Sequence, residues 1–209
     1  MSILATDDFN RANNADLGAN WTVNTGESAW KIVSNSAEPT TFSGAGDHSE
    51  RYTGITWPDN QYAQAKVVAA TGGAANNDEG VGISLRCASG ARTYYRASIC
   101  DGSSTNNVGI SKQVAGSYTN LGFRSQTFAA NGVLYAEIVG TTLQVKWNGT
   151  NLGASFTDSS IASGSPGVCL SSNLSEATLD DWEGGDLSAP AIGSLLRSPS
   201  TLPLSLMVQ

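Results

Sequence analysis

The chain is 209 residues long, with 11 Lys and Arg against 18 Asp and Glu and a formal net charge of −7. That balance excludes the cationic surface on which sequence-independent nucleic-acid binding and docking to anionic lipid depend, so neither nucleic acid nor membrane is expected as a partner. Only 14% of residues are charged, 40% are hydrophobic and 23 are glycine, a composition of one turn-rich β domain with a real core and not of a disordered chain.

In chain order, the first signature is "ATDDFNRANNADLGANWTV", in which Asp7, Asp8 and Phe9 precede an Arg, a Leu-Gly pair and Trp21. The single histidine, His48, follows in the Gly-rich stretch "SGAGDHSER", where it is expected to be a solvated loop residue. Trp57 is expected in the next loop, "GITWPDN", and "QYAQAKVVA" reads as the first long strand.

"EGVGISLRC" and "RTYYRASIC" then alternate with period two and form a hairpin. If both apolar faces meet one core, Leu85 pairs with Tyr95 and Ser84 with Arg96, leaving Ser89, Gly90 and Ala91 as the turn. The same register sets Arg86 opposite Tyr94 on the outer face, Cys87 on the core side opposite Thr93, and Cys100 outward near Gly80. With Cys169, these thiols are too few and too scattered for a disulfide scaffold and are expected to be reduced and far apart.

Further strands follow from "NVGISKQVA", "VLYAEIVG", "TLQVKWNG" and "GVCLSS", with hairpin turns at Val139 to Thr142 and at Asn148-Gly149. "ATLDDWEGG" closes the series with a second acidic-aromatic triplet, Asp180, Asp181 and Trp182. Short strands spaced by turn signals, without a convincing helix, predict an all-β, two-sheet antiparallel sandwich.

Alternation ceases at "GGDLSAPAIG", which divides the chain into a domain over residues 1–186 and an extended arm over 187–209. The arm carries Ile192, Leu195, Leu196, Leu202, Leu204, Leu206 and Met207, yet its prolines block a continuous helix and a membrane span. Such a segment is expected to dock, either back on its own sandwich or as an added edge strand on a neighbouring subunit, with Leu202, Leu204 and Leu206 filling pockets.

The opening Asp-Phe-x-Arg…Leu-Gly-x-x-Trp and the closing Asp-Asp-aromatic, in this order of strands, resemble the concanavalin A-like lectin/glucanase superfamily. Within it they resemble the laminin-G-like jelly rolls of bacterial and phage virion proteins. The resemblance spans roughly residues 5–186 and implies a jelly roll whose first and last strands lie side by side. Asp7, Asp8, Phe9, Trp21, Asp180, Asp181 and Trp182 would then form a clasp joining the two ends. It also raises calcium at the four aspartates, but no Asp-x-Asp-x-Asp-Gly loop supports a metal, and no cofactor is expected.

The glucan-cleaving members carry Glu-x-Asp-x-x-Glu on one strand, and nothing here matches. Glu137 stands alone, and Glu79 follows Asp78 in a probable loop. A lone histidine and dispersed cysteines exclude a zinc site, and no Gly-x-Ser-x-Gly elbow is present. The chain is therefore expected not to be an enzyme. For sugar stacking, Trp57 and the outward set Tyr94, Arg86 and Arg96 are the candidates, with an ordinary cross-strand pairing as the plainer reading.

With "MSILATDD" lacking a secretory signal, the leading expectation is a structural protein of a tailed-phage virion, assembled in the host cytoplasm. It would decorate or cement the capsid or belong to the tail, as a homo-oligomer bound to other virion proteins through the arm. The alternatives are a carbohydrate-binding, lectin-like module for host adhesion, and a glycan hydrolase or lyase with an unfamiliar site.

Overall fold

The computed structural model describes residues 1–42, 47–72, 80–90, 92–102, 108–171 and 174–188. The arm residues named above, from Ile192 to Met207, lie outside the described residues, as do Asp78 and Glu79. Among the described residues there are sixteen strands and no helix.

In chain order the strands are β1 (Ser2–Asp7), β2 (Trp21–Val23), β3 (Trp30–Val33), β4 (Ser36–Pro39), β5 (His48–Tyr52) and β6 (Gln61–Ala69). They continue with β7 (Gly80–Cys87), β8 (Tyr94–Ile99), β9 (Val108–Val114), β10 (Ser117–Arg124), β11 (Gly132–Val139) and β12 (Thr142–Trp147). The last are β13 (Thr150–Asn151), β14 (Phe156–Thr157), β15 (Ser165–Ser171) and β16 (Thr178–Asp186).

They form two antiparallel sheets packed face to face. One has nine strands and runs β13-β12-β11-β6-β16-β4-β3, with β1 also on β16 and β14 on β12. The other has seven, in the order β10-β9-β8-β7-β15-β5-β2. This is the two-sheet sandwich that the alternation predicted, with the jelly-roll form that the resemblance implied. Period two explains the core: Val81, Ile83 and Leu85 of β7, Tyr95, Ala97 and Ile99 of β8, and Leu134, Ala136 and Ile138 of β11 all point between the sheets and are buried.

The turns follow their residues. Asn148 and Gly149 both take positive φ, 48° and 79°, as a two-residue hairpin turn requires. β10, not anticipated above, is exposed or half-buried along its length. With no buried face, its sequence carries no alternation to read.

The β7–β8 register is the expected one from Val81 opposite Ile99 to Leu85 opposite Tyr95. It fails at the next residue. Arg86 adopts φ 51°, and against β15 the pairing jumps from Gly167–Ser84 to Ser165–Cys87. This β-bulge reverses the parity. Arg86 therefore turns inward instead of facing outward beside Tyr94. Cys87 turns outward, where its thiol lies 3.1 Å from Ser84 Oγ.

Cys100 departs from its expected place as well: it is buried and joins the core cluster. All three cysteines are buried free thiols. His48, expected in a solvated loop, opens strand β5 at 2% exposure, with Nε2 3.1 Å from Thr41 Oγ1.

Candidate functional site

Three places gather polar side chains: the joined chain ends, one end of the sandwich, and the outer face of the seven-stranded sheet. At the joined ends, β1 runs antiparallel to β16 with Asp7 opposite Trp182. Gly185 permits the approach, since a Cβ there would sit 2.3 Å from the Ser2 carbonyl oxygen.

The Asp7 carboxylate accepts from four donors: Phe9 N (2.9 Å), Trp21 Nε1 (2.8 Å), and Arg11 Nη1 and Nη2 (2.6 and 3.1 Å). That ion pair raises the Arg11 pKa. Asp8 accepts from Asn10 N, and Asp180 from Asp181 N. Short acidic side chains thus cap tight local turns in both triplets. Phe9 and Asp181 take positive φ, 51° and 47°. Lys66 lies 2.6 Å from both Asp180 and Asp181. Beneath, Trp21 meets Trp182 edge-on at 4.9 Å and Tyr52 stacks on Trp182 at 5.3 Å.

Trp57, a sugar-stacking candidate above, belongs to this aromatic cluster. It packs against Tyr52 and Trp182 and donates Nε1–H to the Tyr52 carbonyl. Its ring is partly buried against the core. Among the described residues no group of three or more His, Cys, Asp or Glu is placed to hold a metal ion.

At the sandwich end, Tyr95 donates to Asp158 Oδ1 at 2.7 Å and Lys112 to Asp158 Oδ2 at 2.5 Å. These partners hold the Asp158 pKa below its usual value against the opposing, and individually largest, effect of burial. Glu137 sits on the outside of the nine-stranded sheet, bonded by the Tyr135 hydroxyl and 3.3 Å from Lys146.

The outer face of the seven-stranded sheet is different. Tyr94 and Arg96 of β8, Ser111 and Gln113 of β9, and Tyr118 of β10 share it by register, since Tyr94 and Tyr118 both flank Gln113 and Arg96 flanks Ser111. Glu27, just after β2, and Asp47, just before β5, reach over it. Glu27 Oε1 accepts from the Tyr94 hydroxyl at 3.2 Å, and Asp47 accepts from Gln113 Nε2 and lies 3.4 Å from Arg96 Nη1. Arg92, in the β7–β8 turn, places Nε 2.7 Å from Glu27 Oε1.

Burial is deep at one side and shallow at the other. The Glu27 side chain is fully buried, whereas Arg92 keeps a third of its exposure and Tyr118 is 42% exposed. Arg96 lies 5.7 Å from the Tyr118 ring centroid.

Two acceptors here, Glu27 Oε2 and Gln113 Oε1, are buried with no hydrogen-bond partner. Arg92 Nε, close as it is to Glu27, is not aligned to hydrogen-bond it. Buried polar atoms left unpaired cost about 1–3 kcal/mol each, and three of them fall in this one cluster. Burial, then the negative charge of Asp47, push the Glu27 carboxyl up to about 7, against Arg92. Of this constellation, sequence parity placed Tyr94 and Arg96 outward. It missed Glu27, Asp47, Arg92, Gln113 and Tyr118, which come from separate segments with no shared spacing.

No family model and no curated protein matches the chain. Solved structures share its fold. It aligns with the carbohydrate-binding module CBM66 from Bacillus subtilis at a TM-score of 0.60 and 14% identity, covering 81% of this chain and 99% of that one. It aligns with a structure described under endo-acting O-glycanases of the human gut microbiota that initiate mucin breakdown, at 0.58 and 10%, covering 90% and 100%. A third is the exoplasmic/lumenal domain of VIP36 in its Ca2+/Man-bound form, at 0.55 and 12%, covering 81% and 84%. The chain is thus similar in fold to binding modules and to domains of glycan-processing proteins, a concanavalin A-like jelly roll. None of the three is described as a virion protein.

Proposed function

We propose that this protein is a non-catalytic carbohydrate-binding domain whose glycan sits on the outer face of the seven-stranded sheet, against Tyr118 and the Glu27–Arg92–Gln113 cluster. The observation that carries this reading is the convergence of unpaired buried polar atoms beside an exposed aromatic ring. The rim of the cluster is open, with Arg92 a third exposed and Tyr118 42% exposed, so a sugar hydroxyl can accept from the Arg92 guanidinium while Tyr118 offers a flat apolar face. The carbohydrate-binding neighbours support the same reading.

Binding fits the cluster better than turnover, because each carboxylate has an arginine at ion-pair distance, Glu27 with Arg92 at 2.7 Å and Asp47 with Arg96 at 3.4 Å. Free acid and base groups at defined separation are what glycoside hydrolysis needs. The virion role expected from the arm has no counterpart in these observations.

The test is retention on a panel of immobilised plant, fungal and mucin glycans, comparing the wild type with Tyr118→Ala and Gln113→Ala. The expected result is retention of the wild type on at least one glycan, and at least tenfold weaker binding in both variants with unchanged circular dichroism. Failure of the wild type to bind any member, or equal binding by all three proteins, counts against the assignment.

A further inference from the structure

The bulge at Arg86 puts a cation where the sequence pattern expects an apolar residue. Its guanidinium donates Nε–H to the Asp59 carbonyl (2.9 Å), Nη1–H to the Ile161 carbonyl (2.8 Å) and Nη2–H to the Gly140 carbonyl (2.8 Å). All three partners are neutral. Arg86 is 3% exposed, and no carboxylate lies within ion-pair distance among the described residues. Burial is the main effect on it and lowers its pKa. A guanidinium has five N–H groups, so two remain unused.

Beside this buried guanidinium lies a cavity of about 520 Å³, also lined by Asn60, Thr141, Ser159 and Ile161. That volume is within the range of ligand pockets, about 300–1,000 Å³. Asn60 spends its side-chain oxygen on Gly140 N at 2.8 Å, which leaves its NH2 group for the cavity. Thr141 and Ser159 add hydroxyls. The lining is therefore rich in donors around a buried cation. The one acid on the wall, Asp59, limits how much negative charge can enter.

We infer that this end of the sandwich is a second, separate binding site, for a sugar that carries a single carboxylate, a uronic acid. The carboxylate takes the two spare N–H groups of Arg86 as a charge-assisted pair, and the ring hydroxyls meet Asn60, Thr141 and Ser159. Asp59 disfavours a dianion such as a phosphate monoester. The site uses none of the residues of the outer-face cluster, so it stands or falls independently of the function proposed above.

The experiment is a titration of the isotope-labelled full chain with D-glucuronate, with D-glucose as the neutral control, followed by amide chemical shifts. D-Glucuronate is expected to produce saturable shifts centred on Gly140, Thr141 and Ile161, with a Kd of about 1 mM, and D-glucose none there. In Thr141→Asp, which adds a charge at the rim without touching the Arg86 bonds, the affinity should fall at least tenfold. No saturable shift, equal shifts with both sugars, or shifts centred elsewhere would each overturn the inference in the wild type alone, whatever the variant does.

Discussion

The joined chain ends and the outer face of the seven-stranded sheet use the same chemistry to opposite purpose. Both bury carboxylates beside arginines and aromatic rings. At the ends, the Asp7 carboxylate meets four donors, and Trp21 meets both that carboxylate and Trp182. On the outer face, Glu27 and Gln113 each keep a buried oxygen without a partner. A satisfied acid fixes the fold, and the unsatisfied one is where we propose that a ligand binds. The two regions should therefore answer substitution differently, the first in stability and the second in binding.

The largest effect belongs to Trp182→Ala. Trp182 is 1% exposed and contacts Trp21, Tyr52 and Trp57, so its loss should cost about 3–5 kcal/mol in urea unfolding. A loss under ~1 kcal/mol would mean that the aromatic cluster does not hold the ends together. Asp7→Ala comes next, at about 1–3 kcal/mol, because it strands Trp21 Nε1 and Arg11. Full stability in that variant would erase the contrast.

Smaller, and of opposite sign, is the effect of neutralising buried acids. Glu27 and Glu50 are both raised to about 7, in each case first by burial; Glu50 also accepts from Trp30 N at 2.7 Å, which works the other way. The folded state holds these protons more tightly than the unfolded chain, whose glutamates titrate near ~4.3. The contribution of these two groups to stability is thus full below the unfolded value and lost as pH rises through about 7. Glu27→Gln and Glu50→Gln should each flatten the decline of melting temperature between acid and neutral pH, and raise it at mildly alkaline pH. A steeper decline in either variant would reverse the argument. Asp158, with its depressed pKa, works the other way: its contribution is full at neutral pH and is lost as pH falls below the usual aspartate range.

The smallest expected effect is none. Asp7 is occupied by Arg11, and Asp180 and Asp181 by Lys66, so adding a chelator should leave the melting temperature unchanged. A drop on chelation, restored by calcium, would turn the joined ends from a clasp into a metal site.

The strands were legible because alternation records which face each residue buries. "QYAQAKVVA" became β6 residue for residue. The side-by-side first and last strands were implied by the resemblance and are seen in β1 against β16. The Arg86 bulge was not legible, since an arginine at φ 51° leaves no mark in a period-two pattern, yet it exchanged the faces of Arg86 and Cys87. Nor could parity tell that the outward face of β8 is buried. Tyr94 and Arg96 are covered because Glu27 and Asp47 arrive from distant segments, a long-range event without a local signal.

β16 holds the nine-stranded sheet from its middle, pairing with β6 on one side and with β4 and β1 on the other. During synthesis, then, β1, β4 and β6 all leave the ribosome well before β16, the strand with which each of them pairs. Until that moment β1, β4 and β6 offer open hydrogen-bonding edges, with exposed Ile3 and Leu4 on the first. The interval between the birth of β1 and the arrival of β16 is where this protein is most open to pairing with the wrong chain.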